Sequence, residues 1–333
     1  MTMIWNDTNT EIKVDVLPNG KNRVSINPLS PAVFISRQCI ETSYSLDLIK
    51  LILSVKGASY LCDEIARDED LEYVGEPLKK LVLGYVDQQS IVNHTILDFG
   101  CGCGSSTMNL AKFFPQTQII GIELCQEFLK IAEARRMHYG FNNVTFLLSP
   151  NASELPQKLG NFNFVILNAV YEHLLPNERK TIIPQLWSLL KPGGILFINE
   201  TPYRYFPIEL HTTGLPFINY FSDKMTLIFA RIFSKRVGKG DSWELLLRQG
   251  IRGTTEKEII NNIPQNNQDI PVILQPQKSE MNDRIDLWYA SSSEKWRIVK
   301  TMAKFIFKSV KLVFGATLLP SVNLAIKKVV VKA

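Results

Sequence analysis

The sequence predicts an α/β fold, a doubly wound and mostly parallel sheet. Three observations predict it. The runs "TILDFG", "TQIIGIE", "NVTFLLS", "FNFVILNAV" and "GILFINE" are near-continuously apolar, as strands buried on both faces must be. The segments between them carry apolar residues three and four apart, the period of helices that cover such a sheet. Directly after the first strand, "ILDFGCGCGSS" places three glycines within five residues (Gly100, Gly102, Gly104), where an α/β sheet receives its ligand.

Each element follows in order. Residues 1–92 read as a strand hairpin and a helical cap: "VDVLPNGKNRVSI" turns at Pro18-Asn19-Gly20, and "LDLIKLILSV" and "EPLKKLVLGYV" are amphipathic. Residues 93–202 form the core. Within it, the helix "STMNLAKFF" stops at Pro115, "CQEFLKIAEARRMHYG" closes at Gly140, and Pro184 is expected to kink or split "NERKTIIPQLWSLL". After the fifth strand, residues 203–253 read as an insertion with one helix, "DKMTLIFARIFSK". Residues 254–292 are expected to complete the sheet, with the helix "TTEKEIINNI" and strands "PVILQP" and "RIDLWYA". Residues 293–333 form a basic amphipathic tail.

The 333 residues are 45% hydrophobic and 21% charged, a core-forming composition. The net charge of +5 is unevenly held. From Lys295 onward there are nine Lys or Arg and no acid, which leaves −4 on the first 294 residues. A body without a basic stripe is not expected to bind nucleic acid. Five cysteines without a repeating spacing suggest reduced thiols and a cytoplasmic setting. Neither a signal peptide nor a membrane-spanning stretch is expected.

The glycines admit a ligand close to main-chain N–H groups. A dinucleotide is one candidate, but the third glycine of its fingerprint would fall at Ser105. Asp98, two residues before Gly100, would repel a pyrophosphate and suits an ammonium group. Glu123 ends the second strand, where an acid can accept ribose hydroxyls. A cationic nucleoside without phosphates is implied, which describes S-adenosylmethionine.

In the order of its motifs, Ile96 to Pro202 resembles the class I S-adenosylmethionine-dependent methyltransferases, whose sheet is Rossmann-like, and in particular the quinone-pathway methyltransferase-domain proteins. "LDFGCGCGSS" looks like the family's first motif, "GIEL" like its second-strand acid, "LLSPNASELP" like its adenine loop and "NFVILNAVYEHL" like its fourth-strand motif. The resemblance implies cofactor contacts from Asp98, Gly100, Cys101, Gly102, Glu123, Leu124, Asn151, Ala152 and Asn168. Asn151 stands where the family usually has an aspartate, so its amide carbonyl would meet the adenine amino group. Cys101 and Cys103 read as small loop fillers rather than a metal pair.

The chemistry is expected beyond the fourth and fifth strands, at Glu172, His173 and His211. Three readings stay open. The Glu-His pair could shape the pocket floor, an imidazole could be a general base, or the three, with or without Glu209, could hold a divalent metal. The metal reading is not favoured. In related methyltransferases a Glu-x-x-Glu-His run binds a cation, and here Ala169 replaces the first glutamate. The resemblance implies methyl transfer to a small-molecule acceptor, at an oxygen of an apolar, aromatic or sugar-type compound. A cofactor-binding scaffold without turnover and a nicotinamide-dependent oxidoreductase are the alternatives. The insertion would face the acceptor, its aromatics lining an apolar cleft or forming a satellite core.

In the tail, Arg297, Lys300, Lys304, Lys308 and Lys311 form one helical stripe, with Ile298, Met302, Phe305, Ile306, Val310 and Val313 around the rest. Either this helix touches a membrane through residues 294–314, lysines toward anionic headgroups at the inner face, or its apolar side packs on the body.

Overall fold

A computed structural model describes residues 2–264, 269–278, 280–292 and 297–330. The chain opens with four short strands, β1 (Thr2–Asp7), β2 (Thr10–Val16), β3 (Asn22–Pro28) and β4 (Cys39–Thr42), paired in sequence as an antiparallel meander. Period-two alternation turns Ile12, Val14, Val24 and Ile26 inward. Helices α1 (Leu46–Lys56) and α2 (Ala58–Glu69) close a core over that face, which Cys103 and Ile131 of the main domain also join. Helix α3 (Gly75–Leu83) leads to the large sheet.

That sheet alternates with helices: β5 (Thr95–Phe99), α4 (Ser105–Phe113), β6 (Gln118–Glu123), α5 (Gln126–Tyr139), β7 (Val144–Leu148), β8 (Phe162–Asn168), α6 (Pro176–Ser188) and β9 (Leu190–Pro202). Then come α7 (Asp223–Phe233), α8 (Trp243–Arg248), α9 (Glu256–Asn262), β10 (Asp269–Ile273), α10 (Arg284–Ser291), α11 (Arg297–Phe314) and β11 (Ser321–Val330). The strand order is β7-β6-β5-β8-β9-β11-β10. Strands β5 to β9 are parallel, and β11 runs antiparallel to both its neighbours. One face packs on α6 and α9, the other on α3, α4 and α10. The chain winds outward from β5 to β7, then returns to β8 on the other side of β5. A crevice opens at that reversal, beyond the strands' carboxyl ends.

Four expectations are corrected. "RIDLWYA" is α10 rather than a strand: Asp283 accepts hydrogen bonds from the amides of Ile285 and Asp286, and this cap outweighs the alternating pattern. Residues 254–292 therefore supply only the edge strand β10. The core is completed by β11, from the segment read as tail, which lies with Leu324 opposite Ile198 and Lys327 opposite Ile195. Pro184 does not split α6, which runs continuously from Pro176 to Ser188 with Ile182, Ile183, Leu186 and Trp187 buried against the sheet.

The fourth correction concerns α11, which sits with its lysines inward. Lys304 meets Asp286 at 2.8 Å, Lys308 meets Asp283 at 2.8 Å and Asp286 at 3.0 Å, and Lys311 meets Asp283 at 2.7 Å. Partial burial would raise the Asp283 carboxyl, but Lys308 and Lys311 hold it well below the usual carboxylate range. Residues 293–296 and 331–333 of the predicted tail lie outside the described residues.

Candidate active site

Alternation along β5 decides what its aspartate does. Ile96 and Asp98 share the face that packs on α4, whereas Leu97 and Phe99 face α6. Asp98 is accordingly buried, and its Oδ2 accepts hydrogen bonds from Ser106 Oγ at 2.7 Å and Thr107 Oγ1 at 2.6 Å in the first turn of α4. A carboxylate suits a helix N-terminus, and the residue expected to meet a ligand's ammonium fastens the glycine loop to the helix it enters. Burial raises its pKa despite those two hydroxyls.

The loop itself is shaped for a close approach. Gly104 has φ +84°, and a Cβ there would sit 2.8 Å from that of Ala132, so α5 can lie this near only over a glycine. A Cβ on Gly102 would meet nothing within 4 Å, which leaves its backbone bare to the crevice. Glu123 braces the loop: Oε2 accepts from the Gly102 amide at 3.0 Å, and Oε1 from the amides of Leu124 and Cys125 at 2.8 and 3.0 Å.

Two connected hollows follow. An apolar slot of about 350 Å³ runs between Ile122, Glu123 and Leu124 on one side and Val170 and Leu174 on the other, with Ser149 and Ala152 at its end. Asn151 does not line it. That side chain is exposed, its Oδ1 accepting from the Ser153 amide at 2.8 Å. A turn following β7 points residue 152, not 151, at the slot. The second hollow, about 680 Å³, holds Gly100, Cys101, Gly102 and Asn168, and the cap contributes Lys56, Glu64 and Arg67. Asn168 Oδ1 is buried there without a hydrogen-bond partner, an acceptor awaiting a donor. Burial pushes the Cys101 thiol well above its ordinary pKa and the Cys103 thiol up to about 12, so neither offers a thiolate.

The structure brings Glu172, His173 and His211 together. The ring centroids of His173 and His211 lie 5.6 Å apart, and His173 Nε2 is 3.8 Å from Glu172 Oε1. His173 Nδ1 lies 2.6 Å from the Arg248 carbonyl oxygen. A carbonyl can only accept, so the proton sits on Nδ1 and Nε2 keeps its lone pair. Arg248 is held for this by a two-pronged pairing of its guanidinium with Glu178, both contacts 2.5 Å. Glu172 is fully buried. Its Oε2 accepts from Thr201 Oγ1 at 3.0 Å, and its Oε1 has no partner. Burial pushes its pKa up to about 8, and burial lowers both histidines. Burial thus favours the uncharged form of all three, which weakens any ion pair across the 3.8 Å contact. Each of the three can also place one ligand atom within 4.8 Å of the others, a mixed N/O set suited to a divalent cation.

Sequence reasoning missed Gly250. It has φ +88°, and a Cβ would lie 2.8 Å from His211 Cδ2 and 3.1 Å from Glu172 Cγ. A glycine seven residues beyond a tryptophan in an unclassified insertion carries no local signal. His211 also lines a third hollow, about 210 Å³, with Glu200, Tyr203, Ile208, Leu210 and Ile251. Glu209 does not serve it, since its carboxylate is spent on the amides of His211, Thr212 and Thr213. The insertion's aromatics divide: Tyr203 lines this hollow, Phe221 packs on a small core of Ile218, Ala230, Val237, Leu246 and Ile251, and Tyr205, Phe217 and Tyr220 are exposed.

Residues 96–194 match the model of a methyltransferase domain. The chain is 30% identical over 142 residues to a demethylmenaquinone methyltransferase of Lactococcus lactis, covering 42% of this chain and 53% of that one. It is 32% identical over 102 residues to a trans-aconitate 2-methyltransferase of Methylobacterium radiotolerans, covering 31% and 36%. The chain thus spans about half or less of the length of these curated relatives. A solved plantazolicin methyltransferase, in complex with a triazolic desmethylPZN analogue and S-adenosylhomocysteine, overlaps 85% of this chain and 95% of its own, at 14% identity and a TM-score of 0.45.

Proposed function

Since the chain belongs, through residues 96–194, to the class I S-adenosylmethionine-dependent methyltransferases, we propose that it moves a methyl group to an oxygen of an apolar, aromatic or sugar-type small molecule. One observation carries the reading: His211 lines both the cleft behind the glycine loop and the smaller hollow under the insertion, so a basic group stands where two ligands would meet.

S-adenosylmethionine, when bound, supplies an electrophilic methyl on a sulfonium. The residues present fit it. The bare backbone of Gly102 admits the nucleoside, with Gly100 beside it packed against Val170, Glu123 takes the ribose hydroxyls, and the slot beside Leu124 and Ala152 takes the adenine. Asn168 Oδ1, unpartnered and buried, takes a donor from the amino-acid end. Methyl transfer then needs alignment and the removal of one proton. His173, with Nε2 free and a pKa lowered by burial, is neutral near pH 7 and accepts a proton from an acceptor hydroxyl. His211, equally neutral, is the second base within reach. The cation reading of the same three side chains is kept as the alternative because their donor atoms converge. An apolar acceptor resides in lipid, and a peripheral membrane contact belongs to this proposal.

His173→Ala and His211→Ala are expected to slow turnover while leaving S-adenosylhomocysteine affinity, measured by calorimetry, within a few-fold. Abolished cofactor binding in either variant would overturn the assignment of the two hollows.

A further inference from the structure

The orientation of α11 leaves an apolar face that no other element covers among the described residues. Lys304, Lys308 and Lys311 face Asp286 of α10 and Asp283 at its N-terminal cap, and this seating turns the opposite face outward. Ile298, Met302, Phe305, Ile306, Leu312 and Val313, which recur at helical spacing, are 54–88% exposed. Soluble monomers rarely expose so continuous an apolar stripe, and such a stripe marks a contact surface.

A second helix with an exposed apolar face is linked to it indirectly. Phe307 of α11 meets Phe206 of the insertion edge to face, and the Phe206 carbonyl accepts a hydrogen bond from Asn219, just before α7. On α7, Ile228, Ile232 and Phe233 are 53–65% exposed. Exposed cations flank this helix: Lys224 at its start, and Lys235, Arg236 and Lys239 beyond its end, none paired with an acid among the described residues. Helix α11 itself contains no acid. Ile208 and Leu210, which line the hollow under the insertion, are themselves exposed in the segment that leads into α7. No helix among the described residues is long and apolar enough to cross a membrane.

We propose that α7 and α11 together form a docking surface for an anionic lipid bilayer, their apolar faces entering the headgroup boundary and the cations around α7 meeting lipid phosphates. Charge decides the occupant. An apolar face bordered by unpaired lysines, with no acid on α11, is complementary to anionic lipid. A second copy of the chain would instead bring like-charged lysines against these. The lysines of α11 act as an internal clasp that fixes the helix with its apolar side out, not as headgroup ligands. The proposal deepens the membrane contact above and does not depend on methyl transfer.

The test is flotation of the full chain with vesicles of phosphatidylcholine alone or mixed with phosphatidylglycerol. The wild type is expected to float with the anionic vesicles and far less with the neutral ones. Met302→Asp with Phe305→Asp, and separately Ile232→Asp with Phe233→Asp, are each expected to lower recovery roughly tenfold or more. These side chains are more than 60% exposed, so thermal midpoint and S-adenosylhomocysteine binding should not change. Equal recovery on both vesicle types, unchanged flotation of the variants, or a wild-type dimer that the variants convert to monomer would overturn it. Cofactor binding is read separately, so its failure would count against the methyltransferase reading and not against this surface.

Discussion

Arg135→Met is the sharpest probe of how the cap is joined to the core. Arg135, on α5, is fully buried. Its Nε donates to Tyr44 Oη at 3.0 Å, one terminal nitrogen to Glu64 Oε1 at 3.1 Å and to the Cys103 carbonyl at 2.8 Å, and the other to the Glu64 carbonyl at 2.6 Å. Asp68 lies 3.4 Å from the guanidinium. Methionine keeps much of the volume, so the lost packing is small. What remains is two buried acids that have lost their hydrogen-bonded guanidinium and keep the more distant Lys56, 3.6 Å from Glu64, and Lys112, 3.9 Å from Asp68, a defect of up to about 3–5 kcal/mol, or a hundredfold to several-thousandfold shift in the folding equilibrium. Urea unfolding followed by tryptophan fluorescence reads it directly.

The pH dependence supplies an independent check with a definite sign. Burial would raise Glu64, but Arg135, Lys56 and Arg67 outweigh it and hold the carboxyl below its ordinary pKa. Glu64 therefore adds stability above its unfolded pKa, and that contribution is lost as pH falls through the folded value. In the variant, burial is opposed by Lys56 and Arg67 alone, and protonation relieves the defect. The gap between variant and wild type should narrow from neutral pH to about pH 5. A gap below about 1 kcal/mol at neutral pH, or one that widens in acid, would refute the reasoning. Because the Cys103 carbonyl belongs to the glycine loop, cofactor affinity should fall in parallel.

Two further outcomes are expected. Gly250→Ala strains a left-handed backbone and drives a methyl into the His211 ring, so turnover should fall roughly tenfold to a hundredfold with S-adenosylhomocysteine affinity unchanged by calorimetry. Chelation with EDTA should leave turnover unaltered if His173 and His211 act as bases. A loss that added Mn²⁺ restores would transfer their role to cation binding.

Much of the core was legible because its signals are local. The apolar runs of β5, β6, β7, β8 and β9 and the three glycines after Phe99 each carry their own period or backbone requirement, and the structure places all of them as read. The cleft followed from them. What the side chains do within it did not follow. Asp98 and Asn151 were chosen by position in a motif, which says nothing of the hydroxyls of α4 that Asp98 holds or of the turn after β7 that leaves the Asn151 side chain outside the slot.

By itself, then, the sequence determined a parallel sheet, a bare loop at its switch point and two histidines near its rim, because periodicity and φ preference act over a few residues. Only the tertiary structure decided the rest. It set β11 between β9 and β10, brought His211 within ring contact of His173, and turned α11 with its lysines inward against Asp283 and Asp286. Each of these pairs segments distant in the chain, and such pairings are chosen by what the whole fold leaves unburied and unpaired.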